Sequence, residues 1–175
     1  MADYPAAQPH GPIEKRLDDV YWVQGSIRMG PGMRISRNMV LVRQDGELTV
    51  LNPVRLDEAT EANLKKLGTV KHAVRLGYFH GMDDRYYVER LGAKLWCQDG
   101  SSHHPEPIPD VIMDGATKLP IADATLFVFR KAKHPECAVL LPRDGGLLVT
   151  CDSVQHHVGT PMCSIIAKLV LRAMG

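Results

Sequence analysis

Neither sign of charge dominates this chain of 175 residues: 21 Lys and Arg stand against 20 Asp and Glu, a formal net charge of +1. The basic residues are scattered, with no run longer than Lys65-Lys66. A nucleic-acid binder needs a basic field to neutralise phosphates, and a cation-binding tail needs an acidic one; the sequence has neither. Long apolar runs are also missing. The longest tract, residues 162–174, is interrupted by Lys168 and Arg172 and is shorter than the ~20 residues that span a bilayer. The N-terminal residues lack the apolar stretch of a signal peptide, so the expected compartment is the cytoplasm, with no membrane partner. Cys97, Cys137, Cys151 and Cys163 show no C-x-x-C spacing, and four cysteines in a chain of this length do not demand a disulfide framework. No internal repeat is present.

What remains is ordinary globular material. Hydrophobic residues make up 45% and charged residues 23%, enough apolar side chain for one sizeable core. Residues 1–18, rich in Pro, Ala and charge, predict an extended arm, and residues 19–175 a single domain. Alternation over 20–27 predicts a first strand. Strands at 39–42 and 48–51 flank Asp45-Gly46, a strong hairpin signal. Residues 56–67 predict an amphipathic helix with Asp57 as N-cap and Gly68 after its end. A buried strand over 70–76 follows, then a loop, then a short helix over 84–91 ending at Gly92. A strand over 93–97 leads into a Gly, Ser, His, Pro and Asp rich loop at 98–122, with room for a short helical turn and a solvated His103-His104 pair. The second half predicts strands at 125–130, 137–141 and 147–150, the last two separated by an Asp144-Gly145-Gly146 turn. A final helix starts at Thr160-Pro161, with an apolar stripe of Met162, Ile165, Ile166, Leu169 and Ala173. The order predicts two sheets packed face to face, with the helices over 56–67 and 84–91 on one outer face and the final helix on the other.

The chain is organised around the strand-to-helix loop at 76–87. There His80, Asp83 and Asp84 lie within five residues, and an imidazole with two carboxylates can ligate a divalent metal. The plainer reading has Asp83 or Asp84 capping the helix and His80 as a loop histidine. Cys151 beside Asp152, at a strand end, reads as a packed thiol rather than a reactive one, and His156-His157 read as solvent-exposed, although they follow closely enough for one of them to line the same cleft.

These residues fall into a pattern that resembles the metallo-β-lactamase superfamily, from about Val20 to Val154. The signature loop of that family is His-x-His-x-Asp-His; here it reads His80-Gly81-Met82-Asp83-Asp84-Arg85. His134, in Lys133-His134-Pro135-Glu136, corresponds to a later His motif. Asp152, after a Gly145-Gly146 turn and a strand, corresponds to the Asp of a Gly-Asp-Ser motif, with Cys151 in place of Gly. Asn52 stands where the family has an Asp, and the family's final His motif would lie beyond Gly175. The resemblance implies an α/β (α+β) fold, an αββα sandwich of two packed mixed sheets without its last strand and helix. It also implies a metal site of His80, His134, Asp152 and Asp84, with Asp84 orienting the attacking water or acting as general base.

Met82 and Arg85 each remove an imidazole from that site. The expectation is therefore at most one divalent metal, Zn²⁺ or Fe²⁺ or Mn²⁺, with Arg85 pairing to Asp84 or Asp152 in place of a second. Three readings stand: a single-metal hydrolase of an ester, amide or lactone; a metal-free relative that binds a small molecule or a protein partner in the same cleft; and a purely structural ion-pair network of Asp84, Arg85 and Asp152. A chain that ends at Gly175 leaves its last helix free to meet a second subunit, which makes a homo-oligomer a further expectation.

Overall fold

The computed structural model describes residues 4–100, 103–155 and 161–174. Seven strands form the larger sheet: β1 (Glu14–Leu17), β2 (Val20–Gly30), β3 (Met33–Gln44), β4 (Glu47–Leu51), β5 (Thr69–Val74), β6 (Lys94–Gln98) and β7 (Val111–Met113). They lie side by side in the order of the sequence. The first four are antiparallel, and β4 to β7 run parallel to one another. The smaller sheet holds β8 (Thr125–Val128), β9 (Cys137–Leu141) and β10 (Leu147–Val149), all antiparallel. Two sheets are thus present as expected, but only the larger one is mixed. The three strands of the smaller sheet are joined by short reversals, which permit antiparallel pairing alone.

Local chemistry explains the elements. Asp45 and Gly46 both have positive φ, 51° and 78°, the two-residue turn whose twist matches the flanking strands β3 and β4. In α1 (Glu58–Leu67), the Asp57 carboxylate caps the helix by accepting from the Thr60 N–H at 2.8 Å. The larger sheet buries apolar side chains on both faces, and β4 accordingly encloses Leu48, Thr49, Val50 and Leu51 in succession. Met39, Leu41, Leu48, Val50, Ala73 and Leu95 pack under Leu64 of α1 and Tyr87. Val42, Leu51, Val74 and Leu76 face Cys137, Val139, Leu141 and Val149 of the smaller sheet.

Four local expectations are corrected. Glu14–Leu17, within the segment expected to be an extended arm, pairs with Val20, Tyr21 and Trp22 as an edge strand. The helix expected over 84–91 is a single wide turn, Tyr86–Arg90. The long loop after β6 contains a strand, β7, rather than a helical turn, because Val111 to Met113 find free backbone groups on the edge of β6. The last helix, α2 (Ile165–Met174), does not cover the smaller sheet. It docks on β3, where the Ser164 N–H donates to the Arg34 carbonyl at 2.8 Å and the Arg34 guanidinium to the Met162 carbonyl at 3.0 Å. Ala167 is buried there, while Ile165, Ile166 and Leu169 of the expected core stripe are exposed. Phe127, Leu140 and Leu148 are exposed on the outer face of the smaller sheet. Among the described residues no helix is long and apolar enough to cross a membrane.

Asn52 ties the layers together. It ends β4 at φ 53°, a left-handed conformation that Asn tolerates better than most residues. Its side-chain oxygen accepts from the Leu76 N–H at 3.0 Å, and its amide donates to the Thr150 carbonyl at 3.3 Å. Asn52→Ala removes both bonds from a buried position and raises the backbone strain. A loss of about 3 kcal/mol in urea-unfolding free energy is expected; a loss below about 1 kcal/mol would show that the tie is dispensable.

Candidate functional site at the sandwich edge

Where β5 ends, the chain turns along one edge of the sandwich and three other segments meet it. The Cys137 N–H donates to the Leu76 carbonyl at 2.8 Å, and Gly77 forms a single antiparallel bridge with Glu136. The Glu136 carbonyl accepts from the Gln98 amide at 3.1 Å, and its carboxylate accepts from the Ser153 N–H. The His103 N–H donates to the Tyr78 carbonyl at 3.4 Å. Gly77 has no room for a side chain, because a Cβ there would collide with the Cys151 sulfur.

This lacing brings His80 and Asp152 together. The His80 Nε2 lies 3.8 Å from an Asp152 carboxylate oxygen. Cys151 joins them: His80, Cys151 and Asp152 each offer a donor atom, and these atoms lie within 4.8 Å of one another. Among the described residues this is the one group of three such donors close enough to share a metal ion. The His80 side chain beside Asp152 holds the carboxyl of Asp152 below the usual carboxylate range. Burial pushes the Cys151 thiol up, so it is protonated at neutral pH in the absence of a competing cation. An N, S, O set with an open side toward solvent suits a borderline divalent ion such as zinc, which displaces a thiol proton on binding.

The other two expected ligands are held elsewhere. Asp84 is buried and faces not Arg85 but Arg75, whose Nε sits 3.2 Å from its carboxylate with both side chains almost fully enclosed. Neither oxygen of Asp84 receives a hydrogen bond in the described structure, so the contact is a bare ion pair. Burial pushes its carboxyl up to about 6, with Arg75 opposing that shift and the Asp83 charge adding to it. Asp83 is buried too; it pairs with Arg37 and accepts from the Arg55 N–H at 3.0 Å. Arg85 points outward and binds Glu89 at 2.7 Å, four residues on along the turn. The expectation that Arg85 would pair with Asp84 or Asp152 is therefore corrected: the cation next to Asp84 comes from the end of the preceding strand.

Arg75 also braces the loop. Its guanidinium donates to the carbonyls of His80 at 3.4 Å and His104 at 3.0 Å, and it contacts the Cys97 sulfur at 3.5 Å. A Cβ on Gly81 would lie 2.6 Å from the Arg75 Nη1, and Gly81 sits at φ 125°, so the loop needs glycine there.

His134 stacks on Tyr78 with ring centroids 4.4 Å apart and planes 26° apart. It borders the site without joining the His80, Cys151 and Asp152 group. His103 is exposed as expected, but His104 is half-buried against Gly81, and burial lowers its pKa. His156 and His157 lie outside the described residues. The sequence reading missed Arg75 and undervalued Cys151. Each left a signal: a cation between the apolar Val74 and Leu76 at a strand end, and a thiol next to a candidate ligand.

Two outcomes follow from the buried pair. A carboxyl whose pKa rises on folding holds its proton more tightly in the folded state. Its contribution to stability is complete below its ordinary value of 3.8 and is lost as pH rises through about 6. Lowering pH from 7.5 to 5 is therefore expected to stabilise the wild type relative to Asp84→Asn in parallel urea titrations; identical pH dependence would contradict a buried, charged Asp84. Removing only the cation leaves that carboxylate unpaired, so Arg75→Met is expected to cost about 3–5 kcal/mol, with part of the loss recovered in Arg75→Met/Asp84→Leu.

No family model and no curated protein sequence matches the chain. Solved structures do. DIM-1 metallo-β-lactamase superposes with a TM-score of 0.63 at 13% identity, over 89% of this chain and 78% of that one. VMB-1 superposes with a TM-score of 0.61 at 18% identity, over 74% of this chain and 64% of that one, so the match spans less than two thirds of VMB-1. FIM-1 from Pseudomonas aeruginosa, solved in a mono-zinc form, gives 0.57 at 12% identity, over 81% and 68%.

Proposed function

Because the chain has the metallo-β-lactamase fold, we propose that it is a hydrolase of an ester, amide or lactone that works with a single divalent metal held by His80, Asp152 and Cys151. The observation that carries this reading is the convergence of those three donors at the sandwich edge. The metal would lower the pKa of a bound water toward neutrality and polarise the carbonyl under attack. The protein's own part is positional. The Asp152 carboxylate is partly exposed and accessible to substrate, whereas Asp84 is enclosed and acts through the loop. Arg75 fixes the backbone of His80, and Glu136 fixes that of Ser153, on the two sides of the donor set. Arg75 is also the reason for proposing one metal and not two, since a guanidinium already neutralises Asp84.

A second reading has its own support. The protonated, packed thiol of Cys151 fits a relative that binds a small molecule at this edge without metal. Elemental analysis of untagged protein after dialysis separates the two. About one zinc, iron or manganese per chain is expected, lost in His80→Ala and Asp152→Ala. Two equivalents per chain would overturn the single-site proposal, and none would leave the metal-free reading.

A further inference from the structure

Phe79, the residue before His80, is 51% exposed although it is one of only three phenylalanines in the chain. It does not stand alone. Its own segment and two others place rings around it. Tyr78 meets it edge-on at 5.0 Å and 87°, His134 at 5.2 Å and 67°, and His103 is tilted against it at 5.8 Å. Tyr78 and His134 are themselves stacked. The rings are fixed from below by the bond from the His103 N–H to the Tyr78 carbonyl and by the bridge between Gly77 and Glu136. None of these four rings belongs to either buried core cluster, so core packing does not explain their gathering.

We propose that Tyr78, Phe79, His103 and His134 form a recognition platform for a planar aromatic or heteroaromatic group of the substrate. This rests on the reading of the edge as a ligand site. Aromatic faces and edges favour a flat π-system over a saturated ring of equal size, because offset-stacked and edge-on contacts add electrostatic attraction to the burial of apolar area. The imidazoles of His103 and His134 offer ring nitrogens to a polar group on the ligand, and the exposed Lys133, next to His134 in sequence, carries a cation. An aryl acid, or the aryl carboxylic ester that yields it, matches that combination. The platform adjoins the donor set through the peptide bond between Phe79 and His80, which places the aromatic group beside the bond to be cleaved.

The test is binding rather than turnover. Two acids with the same carbon skeleton, 2-naphthoate and decahydro-2-naphthoate, are titrated into the full chain and followed by the NMR signals of its histidine rings. Naphthoate is expected to bind at least tenfold more tightly, and Phe79→Ala to weaken naphthoate at least fivefold without affecting the saturated acid. Phe79 is exposed, so the variant should melt at the wild-type temperature. Equal affinity for the two acids, or naphthoate binding unchanged in Phe79→Ala, overturns the proposal. The titration is repeated with His80→Ala and with chelator-treated protein. Ring-dependent binding that persists in both upholds the platform even where no ester is hydrolysed, and a lack of hydrolysis then counts against the hydrolase reading alone.

Discussion

The ion pair between Arg75 and Asp84 is the constraint on which the site edge depends. Two charges taken out of water are costly to bury, and each is tolerated here because it has the other. Arg75 lies against the Asp84 carboxylate as a bare ion pair and gives its donors to the carbonyls of His80 and His104. One buried side chain therefore sets the path of two loops that are far apart in sequence. Gly81 follows from it, since the guanidinium occupies the space a side chain would need. So does the division of labour among the carboxylates: Asp84 is committed to the interior, and Asp152 is left to face whatever enters the cleft.

Much of the scaffold was legible in the sequence for reasons that are local. Asp45-Gly46 specifies its turn by backbone preference, and the Asp57 cap and Gly68 delimit α1 without help from the rest of the chain. The face-to-face sheets were legible from the order of elements and the family resemblance. What escaped was decided at longer range. Val111 to Met113 become a strand only because β6 offers an open edge, and Glu14–Leu17 only because β2 does. Apolar spacing in α2 gives a stripe but not its destination, and the helix lies on β3 with much of that stripe in solvent.

The site was legible in part for the same reason. Motif order leads to His80 and Asp152, and these do meet. Position in a motif says nothing about which cation satisfies a buried carboxylate. Asp84 is next to Arg85 in sequence, but the side chain of a residue on the first turn of a helix points where the turn sends it, toward Glu89. Arg75 reaches Asp84 from the end of β5 because the strand aims it under the loop. His134 is likewise drawn to the face of Tyr78 rather than into the donor group.

The strand order of the larger sheet bears on how the protein comes into being. Each of its seven strands pairs with its neighbour in sequence, so the sheet can grow from the N-terminus by adding one strand at a time, through short turns between the antiparallel strands and longer crossovers before the parallel ones. His80 is in place once that sheet has formed, whereas Cys151 and Asp152 follow β10 and arrive only when the smaller sheet docks. In chain order the donor set is thus completed late, with only α2 still to dock. A nascent chain still short of β10 has the imidazole without the groups that complete the donor set.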